Sequence, residues 1–145
     1  MNPAIDRKSP PSLTALIRAI RDCCQRKEEE MSNQLALTAS QFACLTVLPD
    51  RTQDLSIQEM AGILGLSHSR ASRVVDSLVR DGLLARRTMA SDRRTQLVAL
   101  TPKGRRKWQA VHALLEECER KLREQLNLHR PKELEETLKI LMSAW

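Results

Sequence analysis

Residues 55–84 read LSIQEMAGILGLSHSRASRVVDSLVRDGLL, and this stretch decides the fold. Ser56 with Glu59 three residues on is a capping box, in which each side chain satisfies a backbone N–H of the other residue at a helix start. Ile57, Met60, Ala61 and Leu64 form the apolar stripe behind it. Gly65 is placed to stop this helix in a left-handed conformation that has no Cβ cost for glycine. Ser67 caps a second helix at once. Ala71, Val74, Val75, Leu78 and Val79 then recur at i, i+3, i+4, i+7 and i+8, the stripe of a helix lying on a core. Gly82 ends it. Two short helices joined through a glycine turn are a helix-turn-helix.

With that stripe turned inward, Ser69, Arg70, Ser72, Arg73 and Ser77 face out, and His68 lies in the first turn. Hydroxyls and backbone N–H groups at a helix N-terminus suit phosphates, and arginine pairs bidentately with guanine in the major groove. An inert surface helix would carry the better helix formers Glu and Lys instead. Ser67, His68, Ser69, Arg70, Ser72 and Arg73 are therefore candidate DNA contacts.

Downstream, Leu83–Thr88 and Thr95–Leu100 read as two short strands with the loop 89–94 between them. Thr101 and Pro102 then open a long helix as cap and first-turn proline. A hairpin directly after a recognition helix is a wing. Its tip reaches an adjacent minor groove, where narrow A·T-rich DNA concentrates negative potential and attracts arginine. Arg87, Asp92, Arg93 and Arg94 extend the candidate surface, with the acid Asp92 suited to fixing the loop or a neighbouring guanidinium.

The charge distribution agrees. From Ser67 to Lys107 eleven Lys/Arg face three Asp/Glu, a net of +8 within a chain of +6, so the remainder carries −2. An excess confined to one block is the footprint of a polyanion-binding face. The 145 residues are enough for one domain with a real core. No apolar run approaches the roughly 18–20 residues that span a bilayer. The opening MNPAIDRKSPPS lacks an apolar signal core and reads as a short polar arm. With four cysteines and no export signal, the expectation is a cytoplasmic protein with reduced thiols.

The ends of the chain have a different grain. Leu13, Ile17, Ile20, Cys24 and Met31 mark one face of a long helix capped by Ser12. Trp108, Val111, Leu115, Cys118 and Leu122 repeat the step, and Leu134, Leu138, Leu141 and Trp145 mark a last helix opened by Pro131. Thr38 caps a short helix carrying Phe42, Leu45, Val47 and Leu48. Long terminal helices with narrow apolar seams exceed what a monomer of this size needs, and a partner helix is their natural occupant, so a two-fold homodimer is expected. The fold class is mainly α: a winged helix-turn-helix with long N- and C-terminal dimerisation helices and a two-stranded β wing.

Three stretches together resemble the MarR family of transcriptional regulators: LTASQFACLTVL (37–48), the helix-turn-helix running to Arg87, and SDRRTQLVALTPKG (91–104). The resemblance spans nearly the whole chain, and the D-x-R wing followed by LTPKG is its more specific part. It implies a single MarR-like domain over 1–145, with dimerisation helices at 1–37 and 102–145 and a DNA-binding lobe at 38–101. It also implies an obligate, triangular dimer in which each lobe binds half of a palindromic operator. By family pattern Arg94 is the minor-groove arginine and Asp92 its positioning partner, with Ser69, Arg70 and Arg73 on the recognition helix. Members are mostly repressors of nearby genes, released by small phenolic or lipophilic ligands or by cysteine oxidation; others activate, and some sense zinc.

The trigger is the thinner part of the reading. The second-helix positions that would ligate zinc are Phe42 and Ala43, and His68, His112 and His129 are scattered, so neither a metal nor a cofactor is expected. Cys23, Cys24, Cys44 and Cys118 fall on the helices that line the family's effector pocket, as small hydrophobes or as a thiol switch. Arg21, Arg26 and Lys27 place positive charge near Cys23, opposed by Glu28–Glu30. The family's peroxide sensors carry their cysteine nearer the start of the first helix. A noncovalent small lipophilic or aromatic effector is the preferred trigger, in a mainly aliphatic pocket, since the chain has one Phe, two Trp and no Tyr. An enzyme is not expected, for want of a glycine-rich phosphate loop, a Ser/His/Asp pattern or a metal cluster. A non-sensing architectural DNA-binding protein is the remaining alternative, while the missing aromatic platform argues against RNA.

Overall fold

A computed structural model describes residues 11–49, 54–88, 96–126 and 131–144. They run α1 (Leu13–Gln34), α2 (Ala39–Val47), β1 (Leu55–Ser56), α3 (Ile57–Leu64), α4 (His68–Arg80), β2 (Leu84–Thr88), β3 (Gln96–Leu100), α5 (Pro102–Leu126) and α6 (Pro131–Ser143).

Each of the first four helices starts at a side chain able to accept an orphan N–H. Ser12 accepts from the Ala15 amide at 3.2 Å, and Ser67 accepts from that of Arg70 at 3.4 Å. Thr38 and Gln41 close a full box on α2, as Ser56 and Glu59 do on α3. Gly65 and Gly82 take φ of 61° and 70°, the left-handed turn that ends α3 and α4. Beyond them Leu66 donates to the Ala61 carbonyl at 3.0 Å and Leu83 to that of Leu78 at 2.8 Å, as in a Schellman ending.

The sheet has three antiparallel strands in the order β1-β3-β2. The wing pairs Leu84 with Leu100 through to Thr88 with Gln96, and β1 adds Leu55 opposite Val98 and Ser56 opposite Leu97. The hairpin agrees with the sequence reading to within a residue; the edge strand β1 is an addition. At two residues it is too short to show an alternating pattern, and its Ser56 reads more strongly as a helix cap.

The core of the winged-helix region sits between these elements. Leu45, Met60, Val75 and Leu78 are at most 1% exposed, joined by Phe42, Ile57, Ala71, Leu83, Leu84 and Val98. Val47, grouped with the apolar residues of α2 by spacing, is instead 45% exposed. Two hydrogen bonds tie back the start of α5, and one of its side chains is buried. The Trp108 indole donates to the Leu48 carbonyl at 2.8 Å, Lys107 donates to the Leu35 carbonyl at 2.7 Å, and Val111 is fully buried. Gly104 gives the TPKG motif its reason: a Cβ there would stand 1.8 Å from the Leu83 carbonyl oxygen, so only glycine lets the helix pass.

The chain divides into two compact units, one through Val111 and one from His112. In the second, Leu122, Leu126, Leu134 and Leu138 line a shallow apolar groove edged by Glu119, Arg123 and Glu135. Arg120 bridges Glu117 and Glu124 along α5. Its hydrogen bond, followed by that of Lys121, draws the Glu117 carboxyl down to about 2.

Candidate nucleic-acid interface

α4 carries most of the candidate side chains, and its two faces are held to different tasks. Ala71, Val75 and Leu78 are buried, which turns His68, Ser69, Arg70 and Arg73 to solvent and leaves Ser72 half-buried. The Ser67 hydroxyl caps the helix and shares a 3.3 Å hydrogen bond with that of Ser69. Among the described residues no hydrogen bond or ion pair engages the guanidinium of Arg70 or Arg73. Among the described residues two exposed guanidinium groups thus stand unpaired along the first turns of a helix, the arrangement that attracts phosphate and base edges.

The arginines of β2 are divided by the pleat. Arg86 pairs with Val98 across the sheet and bonds Asp76 of α4, so its charge is spent joining the wing strand to the recognition helix. Arg87 points to the opposite face, with its side chain 69% exposed and, among the described residues, only a loose 3.8 Å approach to Asp54. An exposed pair of that length contributes little and leaves Arg87 open to a phosphate. Asp92, Arg93 and Arg94, the expected wing tip, lie outside the described residues.

Ser77 departs from the sequence reading. Instead of facing out with Ser69 and Arg73, it accepts a 2.8 Å hydrogen bond from the Gln41 amide. The same nitrogen donates to the Asp81 carboxylate at 2.6 Å, and the Gln41 oxygen accepts from the Thr38 N–H at 3.0 Å. Gln41 itself is 2% exposed. The start of α5 grips the same end of α4: Lys103 donates to the Asp81 carbonyl at 2.8 Å and Thr101 to that of Gly82 at 2.6 Å. Threonine followed three residues on by glutamine signals a capping box in the sequence. The second function of that glutamine has no such signal, because its partners lie 36 and 40 residues away.

The same arrangement of elements recurs in known proteins. The MarR family model matches residues 37–95, from the entry to α2 into the wing. The uncharacterized HTH-type transcriptional regulator YsmB of Bacillus subtilis strain 168 is 32% identical over 95 residues, 66% of this chain and 64% of its own. Among solved structures, a point mutant of S. aureus MepR superposes with a TM-score of 0.76 at 24% identity, covering 92% of this chain and 98% of that one. A second MepR mutant, bound to an oligodeoxyribonucleotide, gives 0.64 at 25% identity, covering 93% and 99%. The segment from α2 into the wing is therefore MarR-like, and the fold as a whole is that of MepR. CouR from Rhodococcus jostii RHA1, bound to p-coumaroyl-CoA, shares the fold with a TM-score of 0.71 at 20% identity, covering 92% and 91%. The chain spans 55–64% of the length of the curated relatives it matches.

In this chain the four cysteines occupy unlike surroundings. Cys44 is buried in the core, and burial pushes its thiol up to about 12. Cys23 and Cys24 are exposed on α1, and Cys118 is intermediate on α5. Arg26 places a guanidinium nitrogen 3.1 Å from the Cys23 sulfur. Among the described residues no group of three His, Cys, Asp or Glu is gathered as a metal site. None of the described helices is long and apolar enough to cross a membrane.

Proposed function

We propose that this chain is a homodimeric, sequence-specific DNA-binding regulator of transcription, acting as a repressor that a small ligand releases. One observation carries the DNA reading: Arg70 and Arg73 are exposed, and unpaired among the described residues, on a helix whose opposite face is locked into a core. MepR, whose fold this chain shares, is seen bound to an oligodeoxyribonucleotide. Ser67, His68, Ser69 and Ser72 supply further contacts along α4, Arg87 a phosphate contact from the sheet, and Arg93 and Arg94 with Asp92 the minor-groove reader. The dimer reading rests on apolar side chains that a single chain leaves open, such as Ile20 on α1 at 59% and Ile140 on α6 at 67% exposure. The ligand reading draws on CouR, which binds p-coumaroyl-CoA.

Selection from a random duplex library tests this reading. The recovered sites should be palindromic, with half-sites footprinted about 10–10.5 bp apart. Arg73→Ala should weaken the selected site by about 1–3 kcal/mol and unrelated duplex much less. A wild-type protein that binds all duplexes equally is architectural, and the regulator reading then fails.

A thiol trigger is the second reading, favoured by the contact between Arg26 and the exposed Cys23. Cys44, protonated in its apolar site, is poorly suited as the partner; Cys118 or a cysteine of a second copy is better placed chemically, with Cys24 beside Cys23 facing elsewhere on the helix. Diamide should abolish operator binding by wild type, reversibly with reductant, and leave Cys23→Ser unaffected. Unchanged binding by fully oxidised wild type removes this reading.

A further inference from the structure

Two helices of the winged-helix region open with the same device, Ser56 with Glu59 at α3 and Thr38 with Gln41 at α2, and the difference at the second residue matters. At α3 the Glu59 carboxylate accepts from the Ser56 N–H at 2.7 Å and the Ser56 hydroxyl at 2.8 Å, on the surface. At α2 the corresponding residue is Gln41, buried. Glutamate and glutamine close a capping box equally well, so the helix start does not require the amide. Its other end does. Asp81 accepts only, and a carboxylate in place of Gln41 would bring it no proton.

We propose that Gln41 is a positioning residue for DNA recognition, its amide setting the rotation of α4 about its own axis. This rests on the DNA-binding reading above. Burial of Ala71, Val75 and Leu78 holds α4 on the core, but the hydrophobic effect is non-directional and resists rotation weakly. Hydrogen bonds are directional, and Gln41 makes two, to residues one turn apart at the end of α4. A rotation of roughly 15° moves a side-chain atom about 6 Å from the helix axis by roughly 1.5 Å. That displacement is enough to break a base contact of Arg70 or Arg73. Among the described residues Lys103 also reaches this end of α4, donating to the Asp81 carbonyl, while Lys107 is committed to that of Leu35.

The test uses the full-length protein, its selected operator and an unrelated duplex. At pH 8, Gln41→Glu sets two carboxylates against each other, and operator affinity should fall about ten- to a hundredfold while unrelated duplex changes about twofold or less. Relative to wild type at each pH, operator affinity should recover toward pH 5.5, because a protonated Glu donates to Asp81 as the amide did. Adding Asp81→Asn should restore it at pH 8, since the new amide donates to the new carboxylate. Equal loss on both duplexes in step with a fall in Tm reduces Gln41 to a structural role and overturns the proposal, as does wild-type binding by Gln41→Glu. If the single variant does not fold, the double variant decides alone: wild-type operator affinity supports the proposal, and a folded but operator-blind protein overturns it. Wild type that cannot tell operator from unrelated duplex defeats the DNA reading itself, a result distinct from every failure of the variants.

Discussion

Leu78 and Ile140 are both aliphatic residues on helical faces, yet Leu78 is fully buried within the chain and Ile140 is 67% exposed. The contrast holds for their surroundings. In the winged-helix region Phe42, Leu45, Met60 and Val75 close over one another. Leu13, Leu16 and Ile20 on α1 are open to solvent, as are Leu122 and Leu126 on α5 and Leu138 and Met142 on α6. An apolar stripe therefore announces that a face is to be covered, and tertiary structure decides what covers it. Single apolar residues at a surface need no explanation, but repeated ones on each of three helices do.

The largest effect expected from breaking this comparison is in the winged-helix region. Leu78→Ala leaves a cavity beneath the recognition helix and should cost about 2–5 kcal/mol, read as a lower denaturation midpoint at unchanged slope. Loss of operator binding should follow from the unfolded fraction. A change below about 1 kcal/mol would mean that α4 is not packed as described.

The opposite result is expected on α6. Ile140→Glu places a charge on an exposed face, so a single chain should tolerate it within about 0.5 kcal/mol. A dimer that buries the residue should not. Sedimentation should show the mass halving, and the midpoint of unfolding should lose its dependence on protein concentration. An unchanged dimer would mean that another surface joins the copies.

The fold was legible where the chain punctuates itself. Ser56, Gly65, Ser67 and Gly82 mark helix boundaries with local chemistry, and the stripe of α4 falls inward as its spacing requires. Information carried by distant partners was not legible. Ser77 follows the polar pattern of α4 and still turns to Gln41, and Arg86 counts as wing charge although Asp76 takes it. Val47 keeps the spacing of α2 but sits where no described neighbour covers it. The exposed face of α4 was therefore easier to read from sequence than the hydrogen bonds made behind it.

The smallest expected effect separates the two regions by pH. In the winged-helix region the Glu59 carboxyl lies below its ordinary value of 4.5, chiefly because it accepts from the Ser56 backbone N–H and then from the Ser56 hydroxyl. A depressed folded pKa contributes stability that is complete above the unfolded value and lost as pH falls through the folded one. Glu59→Gln keeps a box of the same shape without the charge that favours a helix N-terminus. Wild type should therefore melt slightly higher than Glu59→Gln near pH 7, and the gap should close as pH falls below about 4.5. On α5, Glu117 is held lower still, at about 2, by Arg120 and then Lys121, so the gap for Glu117→Gln should persist to more acid pH. Both carboxylates are exposed, and added salt should shrink both gaps. Melting curves from about pH 7 to about pH 2 at two salt concentrations provide the check. If the two gaps close together, the Arg120 pairing does not hold in solution; if the Glu59 gap never closes, its charge contributes nothing and the box works through shape alone.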